Sequence, residues 1–250
     1  MTAAVRLVTA VPAKVAAALA GRRPDARHYA RVVSGDADVY KPDGTLLLAL
    51  RTRAVPAAAW RLAWEAALRV ARRTDRRGYA AAGGEAGDGP FHSGPAGFLY
   101  ARPVGLARDR PADWRRLQIL MREMAAAFAR ARPAEYAAMA AAVAGRVDPA
   151  CVVPGTPFTT AQANRSARMG CHPDAGNLPG GYGVLAAAGA FAGGLLVFPR
   201  FRVAADVRPG DVLIADTLQL HGNTAIAGDR VTVVCYAHRS NLLCPGGPPG

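Results

Sequence analysis

Apolar positions along this chain change their period near residue 146, and the change separates two kinds of element. Between Pro56 and about Arg73, Trp60, Trp64, Leu68 and Ala71 recur every three or four residues, so they share one face of a helix that Pro56 opens. Asp113 to Arg132 carries a longer stripe, Trp114, Leu117, Met121, Met124 and Phe128, and predicts the clearest helix in the chain. Pro133 starts another helix that ends at Gly145, and Pro12 to Ala20 reads as a short one closed by Gly21. Val39-Tyr40 and Thr45 to Leu50 flank the turn tripeptide Pro42-Asp43-Gly44 and form a hairpin. Phe98 to Tyr100 is a short strand. Gly78 to Gly97 has no periodicity and reads as a long substrate-side loop.

From Thr156 onward the texture is one of short strands separated by turns. They are Phe158 to Ala163, Gly183 to Ala188, Gly194 to Phe198, Val203 to Val207, Val212 to Asp216 and Val231 to Ala237, punctuated by Gly193-Gly194 and Pro209-Gly210-Asp211. This rhythm is that of a jelly roll. With helices before it and strands after, the chain is expected to be α+β, its N-terminal helices packed on one face of a β-rich core. At 250 residues it suits a single domain, with residues 1–150 as helix-rich support, 151–242 as the core and 243–250 as a flexible tail.

Composition adds a partner class. Hydrophobic residues make up 51% and charged residues 20%, which describes a globular, soluble chain rather than a disordered one. The formal net charge is +13, almost all of it from Arg, since Lys occurs only at positions 14 and 41. Such an excess favours polyanions, nucleic acid above all, against a merely solvated basic surface. Arg69, Arg72, Arg73, Arg76 and Arg77 gather at one helix end, where the helix dipole also favours cations. Cys151, Cys171, Cys235 and Cys244 show neither zinc-finger nor disulfide-framework spacing and are expected to be free thiols in a reducing compartment. No apolar run is long enough to span a membrane, and the basic, acid-poor first 24 residues fit a transit peptide or an ordinary helix.

Chemistry enters with Cys171-His172-Pro173-Asp174. His172 and Asp174 stand two apart, so on an extended strand end they point to the same side, and His221 follows after four candidate strands. Two histidines and one carboxylate are the ligands of a facial Fe(II) site that leaves positions open for a cosubstrate and O₂. On the last strand Arg230, Thr232, Val234, Tyr236 and His238 share one face, and Val231, Val233, Cys235 and Ala237 share the other. The second set is core. The first begins with a guanidinium fork and a hydroxyl, the groups that hold a distal carboxylate; the alternative is that Arg230 pairs with Asp229 or Asp206 at a sheet edge.

Taken together, His172, Asp174 and Asn177 in a His-x-Asp-x-x-Asn pattern, His221, and Arg230, Thr232, Tyr236 and His238 in an Arg-x-Thr-x-x-x-Tyr-x-His pattern resemble the Fe(II)/2-oxoglutarate dioxygenases. Within that superfamily they resemble the TET/JBP family of 5-methylcytosine and thymine oxygenases, over residues 156 to 240. The resemblance implies a double-stranded β-helix of cupin-like form, with His172, Asp174 and His221 as catalytic iron ligands. It implies that Arg230 and Thr232 bind the oxoglutarate tail, and that Asn177, Tyr236 and His238 bind a flipped base. The cysteine-rich region of the animal members has no counterpart here, which leaves DNA contact to the basic N-terminal part and to Arg165, Arg168, Arg200 and Arg202.

The expected activity is hydroxylation of 5-methylcytosine in DNA with Fe(II), 2-oxoglutarate and O₂. The glycine and histidine turns also resemble the algal branch that takes L-ascorbate as cosubstrate and transfers a glyceryl group. Other readings are a hydroxylase of a protein or small molecule and a non-catalytic module that binds modified DNA. The expected partner is DNA containing 5-methylcytosine, with no membrane or protein partner, and the expected residence is intracellular, nuclear in a eukaryote and cytoplasmic otherwise.

Overall fold

The strand on which the fold is built is β13, Ile226–Tyr236, whose alternation of apolar and polar residues gives it one face for a core and another for a site. The computed structural model describes residues 2–7, 10–71 and 92–242. Within these, β13 lies between β8, Gly183–Gly193, and β7, Thr160–Arg165, antiparallel to both. Beyond β8 come β11 (Val212–Ala215), β4 (Leu46–Arg51), β3 (Ala37–Tyr40) and β1 (Ala3–Arg6); beyond β7 come β5 (His92–Leu99) and β6 (Arg102–Val104). A smaller sheet is ordered β12 (Gly222–Asn223), β9 (Leu196–Phe198), β10 (Val203–Ala205) and β2 (Arg31–Val33). Pairing is antiparallel except between β1 and β3 and between β2 and β10.

The larger sheet buries both faces. On one, Val231, Val233 and Cys235 of β13 join Val184 and Ala186 of β8 and Val212 and Ile214 of β11 against the helices α2 (Ala57–Ala71) and α4 (Pro111–Ala131). All five stripe residues of α4 expected from the sequence are buried there. On the other face Leu213, Ala215 and Ala187 meet Phe198, Val203 and Ala205 of the smaller sheet. Two sheets facing each other, backed by helices on one side, are the α+β jelly-roll architecture that the sequence suggested. The helix α5 (Pro133–Ala144) follows Pro133 and stops at Gly145 as expected, while α1 covers only Ala13–Ala17 and α3 is the single turn Leu106–Asp109. No helix among the described residues is long and apolar enough to cross a membrane.

Three expectations are corrected. The N-terminal part holds more strands than expected: besides the expected hairpin β3–β4 and the strand end at Phe98, β1 and β6 extend the larger sheet and β2 the smaller one. Residues 3–6, rather than joining a helix, pair with β3. The loop expected to reach Gly97 ends earlier, because residues 92–99 are a strand paired with β7. Its sequence hides this. Pro95 cannot donate to a ladder, but β6 covers only Gly97 to Leu99, so Pro95 stands on a free edge where no donor is required. Residues 78–91 of that loop, Arg72, Arg73, Arg76 and Arg77, and Cys244 lie outside the described residues. Cys151, Cys171 and Cys235 are free and buried.

Candidate active site

The segment after β7 and the segment before β12 meet as a two-residue antiparallel bridge. His172 N–H donates to the His221 carbonyl at 2.8 Å and His221 N–H returns the bond at 3.0 Å, so the two imidazoles leave the backbone side by side. Their ring centroids are 4.8 Å apart. Asp174 is fixed by its own N–H bonding to the Thr217 carbonyl at 2.8 Å. Its carboxylate lies 3.5 Å from His172 Nε2 and 3.8 Å from His221 Nε2, and the ligand atoms of the three residues all fall within 4.8 Å of one another. The extended strand end expected for His172 and Asp174 is instead this bridge plus an anchored turn.

The imidazoles are oriented for a cation. His172 Nδ1 bonds the Gly170 carbonyl at 2.8 Å and His221 Nδ1 bonds the Gln219 carbonyl at 2.9 Å. A carbonyl only accepts, so each Nδ1 carries the proton and each Nε2 keeps its lone pair toward Asp174. Burial works against the Asp174 carboxylate, yet His221, His172 and the Thr217 hydroxyl together hold it below the usual range. Burial pushes His221 down, toward the neutral imidazole; it also presses on His172, where Asp174 outweighs it and the pKa is raised. A carboxylate beside two oriented imidazoles fits Fe(II), whose ligand atoms at about 2 Å stand about 3 Å apart at right angles.

Arg230, which lines the same cavity as the triad, is 5% exposed. Neither alternative partner takes it: Asp229 is held by Arg165 at 2.8 Å and Asp206 by Arg208 at 2.6 Å. Arg230 Nη1 donates to the Gly194 carbonyl at 2.9 Å, its Nε has no partner, and burial lowers its pKa to about 10, with the Asp206 carboxylate opposing. A Cβ at Gly194 would fall 2.6 Å from Nη1, so glycine is required where the guanidinium rests. A buried cation with an unused donor is costly unless an anion completes it. Thr232 stands beside it on the same face of β13, within 3.4 Å of the Asn164 amide.

A third group of polar side chains lines the same cavity. A second isolated bridge joins Asn177 to His238, through Leu178 N–H to the Ala237 carbonyl and Arg239 N–H to the Gly176 carbonyl, both 2.8 Å. Asn177 Nδ2 donates to Thr217 Oγ1 at 2.8 Å, and that hydroxyl donates in turn to Asp174. The order of donors fixes the amide, leaving its carbonyl oxygen free to accept. His238 Nδ1 accepts from Ser240 N–H at 3.1 Å and meets Ser240 Oγ at 2.7 Å, so its Nε2 carries the proton. Burial and then Arg239 lower the His238 pKa and keep the ring neutral. Burial, with Asp174 nearby, raises the Tyr236 phenol well above its ordinary range; its ring centroid is 6.1 Å from that of His238.

His172, Asp174, His221, Arg230, Thr232, Asn177, Tyr236 and His238 all line one cavity of about 400 Å³. Arg165, Arg168, Arg200 and Arg202, expected to contact DNA, are not among its lining residues; Arg165 pairs with Asp229, and Arg202 donates to the Arg27 carbonyl. Sequence reasoning missed Gln162 and Asn164, which alternate on β7 with core Ala161 and Ala163, a period-two signal that was there to read. It also missed Thr217, which sits in a loop and shows no pattern.

Residues 98–239 match the TET/JBP model, described as the oxygenase domain of the 2OGFeDO superfamily. Thymine dioxygenase JBP1-A of Trypanosoma cruzi is 31% identical over 196 residues, 73% of this chain and 23% of that protein. The bifunctional helicase and thymine dioxygenase JBP2 of Leishmania infantum is 39% identical over 95 residues, 36% of this chain and 9% of its own length. The chain therefore spans a quarter or less of these relatives. Among solved structures, NgTET1 in complex with 5mC DNA superimposes with a TM-score of 0.61 at 13% identity, covering 85% of this chain and 83% of that one. A 2OG-Fe(II) oxygenase family oxidoreductase of Burkholderia pseudomallei gives 0.52 at 16%, covering 77% and 88%. Both likenesses are of fold.

Proposed function

Because the chain belongs to the TET/JBP family of the Fe(II)/2-oxoglutarate oxygenase superfamily, we propose that it forms a single dioxygenase domain that hydroxylates the 5-methyl group of 5-methylcytosine in DNA. His172, Asp174 and His221 would hold Fe(II), and Arg230 with Thr232 would hold the far carboxylate of 2-oxoglutarate. When bound, iron and cosubstrate supply the activation of O₂ that turns a C–H bond into C–OH while oxoglutarate is decarboxylated to succinate.

The residues of the chain select and place the substrate. A methyl group inside a duplex is out of reach, so the nucleotide must be turned out into the cavity, where Tyr236 offers an aromatic face. With the methyl directed at the His172, Asp174 and His221 cluster, the neighbouring substituent on the ring faces Asn177, which the Thr217 bond ties to Asp174. There the Asn177 carbonyl accepts. Cytosine presents an amino group at that position and thymine a carbonyl, so the orientation of Asn177 favours cytosine. His238 Nε2–H, farther along the edge, donates to a ring nitrogen or carbonyl. This fixed acceptor is the observation that carries the choice of 5-methylcytosine over the thymine named for the trypanosomatid relatives.

Arg230 bears on the cosubstrate. A buried guanidinium with a free donor suits a carboxylate, which 2-oxoglutarate has at its far end and ascorbate lacks. The test is a competition in one tube between two duplexes that differ only in 5-methylcytosine or thymine at one position. The expected outcome is hydroxymethylcytosine in excess over hydroxymethyluracil, with one succinate formed per hydroxyl group; hydroxymethyluracil in excess would overturn the cytosine assignment.

A further inference from the structure

The turn between β5 and β6 is made by Tyr100 and Ala101, both in the left-handed region at φ 54° and 53°. Neither is glycine, and two successive side chains in that conformation are held only where surroundings impose it. The surroundings here are two side chains from the segment after β13. Tyr100 N–H donates to Ser240 Oγ at 3.0 Å and Ala101 N–H to Asn241 Oδ1 at 3.0 Å. Asn241 is buried and donates to the Phe98 carbonyl at 2.7 Å, which ties it to the same hairpin. Ser240 Oγ is also the group 2.7 Å from His238 Nδ1. The hairpin tip is therefore fastened two hydrogen bonds away from a residue that lines the cavity.

What the tip presents is an aromatic ring in water. Tyr100 is 74% exposed, more than any other exposed large hydrophobic residue among those described. Arg102, two residues on, and Arg239, next to the Ser240 that holds the Tyr100 N–H, are exposed as well, on a chain of net charge +13. Burial gives Tyr100 no part in the core. A duplex from which one nucleotide has been turned out exposes the flat faces of its neighbours, and an aromatic side chain stacks on any base. Phosphates on either side would meet the arginines.

We propose that Tyr100 is a stacking contact of this chain with duplex DNA, placed against the bases that flank the displaced nucleotide. The proposal rests on the reading of the cavity as a site for a DNA base. It makes Tyr100 a determinant of duplex over single-stranded substrate rather than a group that touches the reacting atoms.

The test compares wild type, Tyr100→Ala and Tyr100→Trp on one 5-methylcytosine oligonucleotide, single-stranded and duplex, with 2-aminopurine beside the target as a fluorescent report of stacking. Tyr100→Ala is expected to lower kcat/KM on the duplex about tenfold while leaving the single strand within about twofold, and Tyr100→Trp to retain duplex activity. The 2-aminopurine change on duplex binding is expected to vanish in Tyr100→Ala and persist in Tyr100→Trp. Equal losses on both substrates, or none, overturn the proposal while leaving the cavity reading intact. Should wild type oxidise no 5-methylcytosine, that reading falls and the fluorescence decides Tyr100 alone: a signal dependent on Tyr100 upholds the contact, and an identical signal in the alanine variant overturns it.

Discussion

The selection proposed for the cavity rests on two buried side chains, Arg230 and Thr217. Arg230 can be replaced by Met at similar volume, removing the guanidinium and its unused donor while keeping β13 packed. Arg230→Met is expected to leave the melting temperature of the iron-loaded protein equal or higher, yet to raise the KM for 2-oxoglutarate by about a hundredfold. Titration of cosubstrate followed by succinate release checks this, and an unchanged KM would remove Arg230 from the site. Thr217→Val keeps the shape of the residue and breaks the order of donors between Asn177 and Asp174. Discrimination between 5-methylcytosine and thymine duplexes should fall by about tenfold, and iron affinity should weaken by about tenfold as Asp174 loses the hydroxyl, as read by paired kcat/KM values and metal titration. His172, Asp174 and His221 could be picked out in the sequence because residue type alone announces metal chemistry. Arg230, Thr232, Tyr236 and His238 could be placed on one face because a strand has period two. Thr217 could not, since it acts through a loop path that no periodicity marks.

The helix α4 shows how an element can be read from sequence while its fastening is not. The stripe from Trp114 to Phe128 was evident because a long amphipathic helix repeats its signal over five turns or more. Asp113 at its start was read as a boundary, but it is buried and gathers Arg69 from α2 with Arg110 and Arg116. Burial opposes its charge and the Arg110 and Arg69 bonds override it, so its folded pKa is lowered. The stabilisation is complete above the unfolded carboxyl value of about 4 and is lost as pH falls through the lower folded value. Asp113→Asn should thus cost about 2 kcal/mol in urea unfolding at neutral pH, and the gap to wild type should narrow as the pH is taken below about 4. A gap that widened with acid would contradict the ion cluster. Apart from its end at Phe98 and Leu99, the strand β5 was hidden for the opposite reason: its glycines and Pro95 carry no β signal, and only pairing with β7 makes it a strand.

For the molecule as a whole, the jelly roll was readable from the spacing of turns after Thr156, and so was the β3–β4 hairpin around Pro42-Asp43-Gly44, whereas β1, β2 and β6 were not, because each is only three or four residues long and carries no extended alternation. Total charge was legible in the sequence, whereas the ties of Arg165 to Asp229 and of Arg202 to the Arg27 carbonyl were not, because they join residues far apart in the chain. What unites the two sheets is the cavity between them, lined by His172, Asp174 and His221, by the buried Arg230 and by Asn177, Tyr236 and His238. The measurement that tests this most directly is mass spectrometry of nucleosides from 5-methylcytosine duplex DNA treated with Fe(II)-loaded protein. Wild type and Asp174→Ala would be run with 2-oxoglutarate and with ascorbate alone. The account predicts a nucleoside one oxygen atom heavier with wild type and 2-oxoglutarate, and none with the variant. It is contradicted if the variant forms the same product, or if wild type forms a larger adduct that requires only ascorbate.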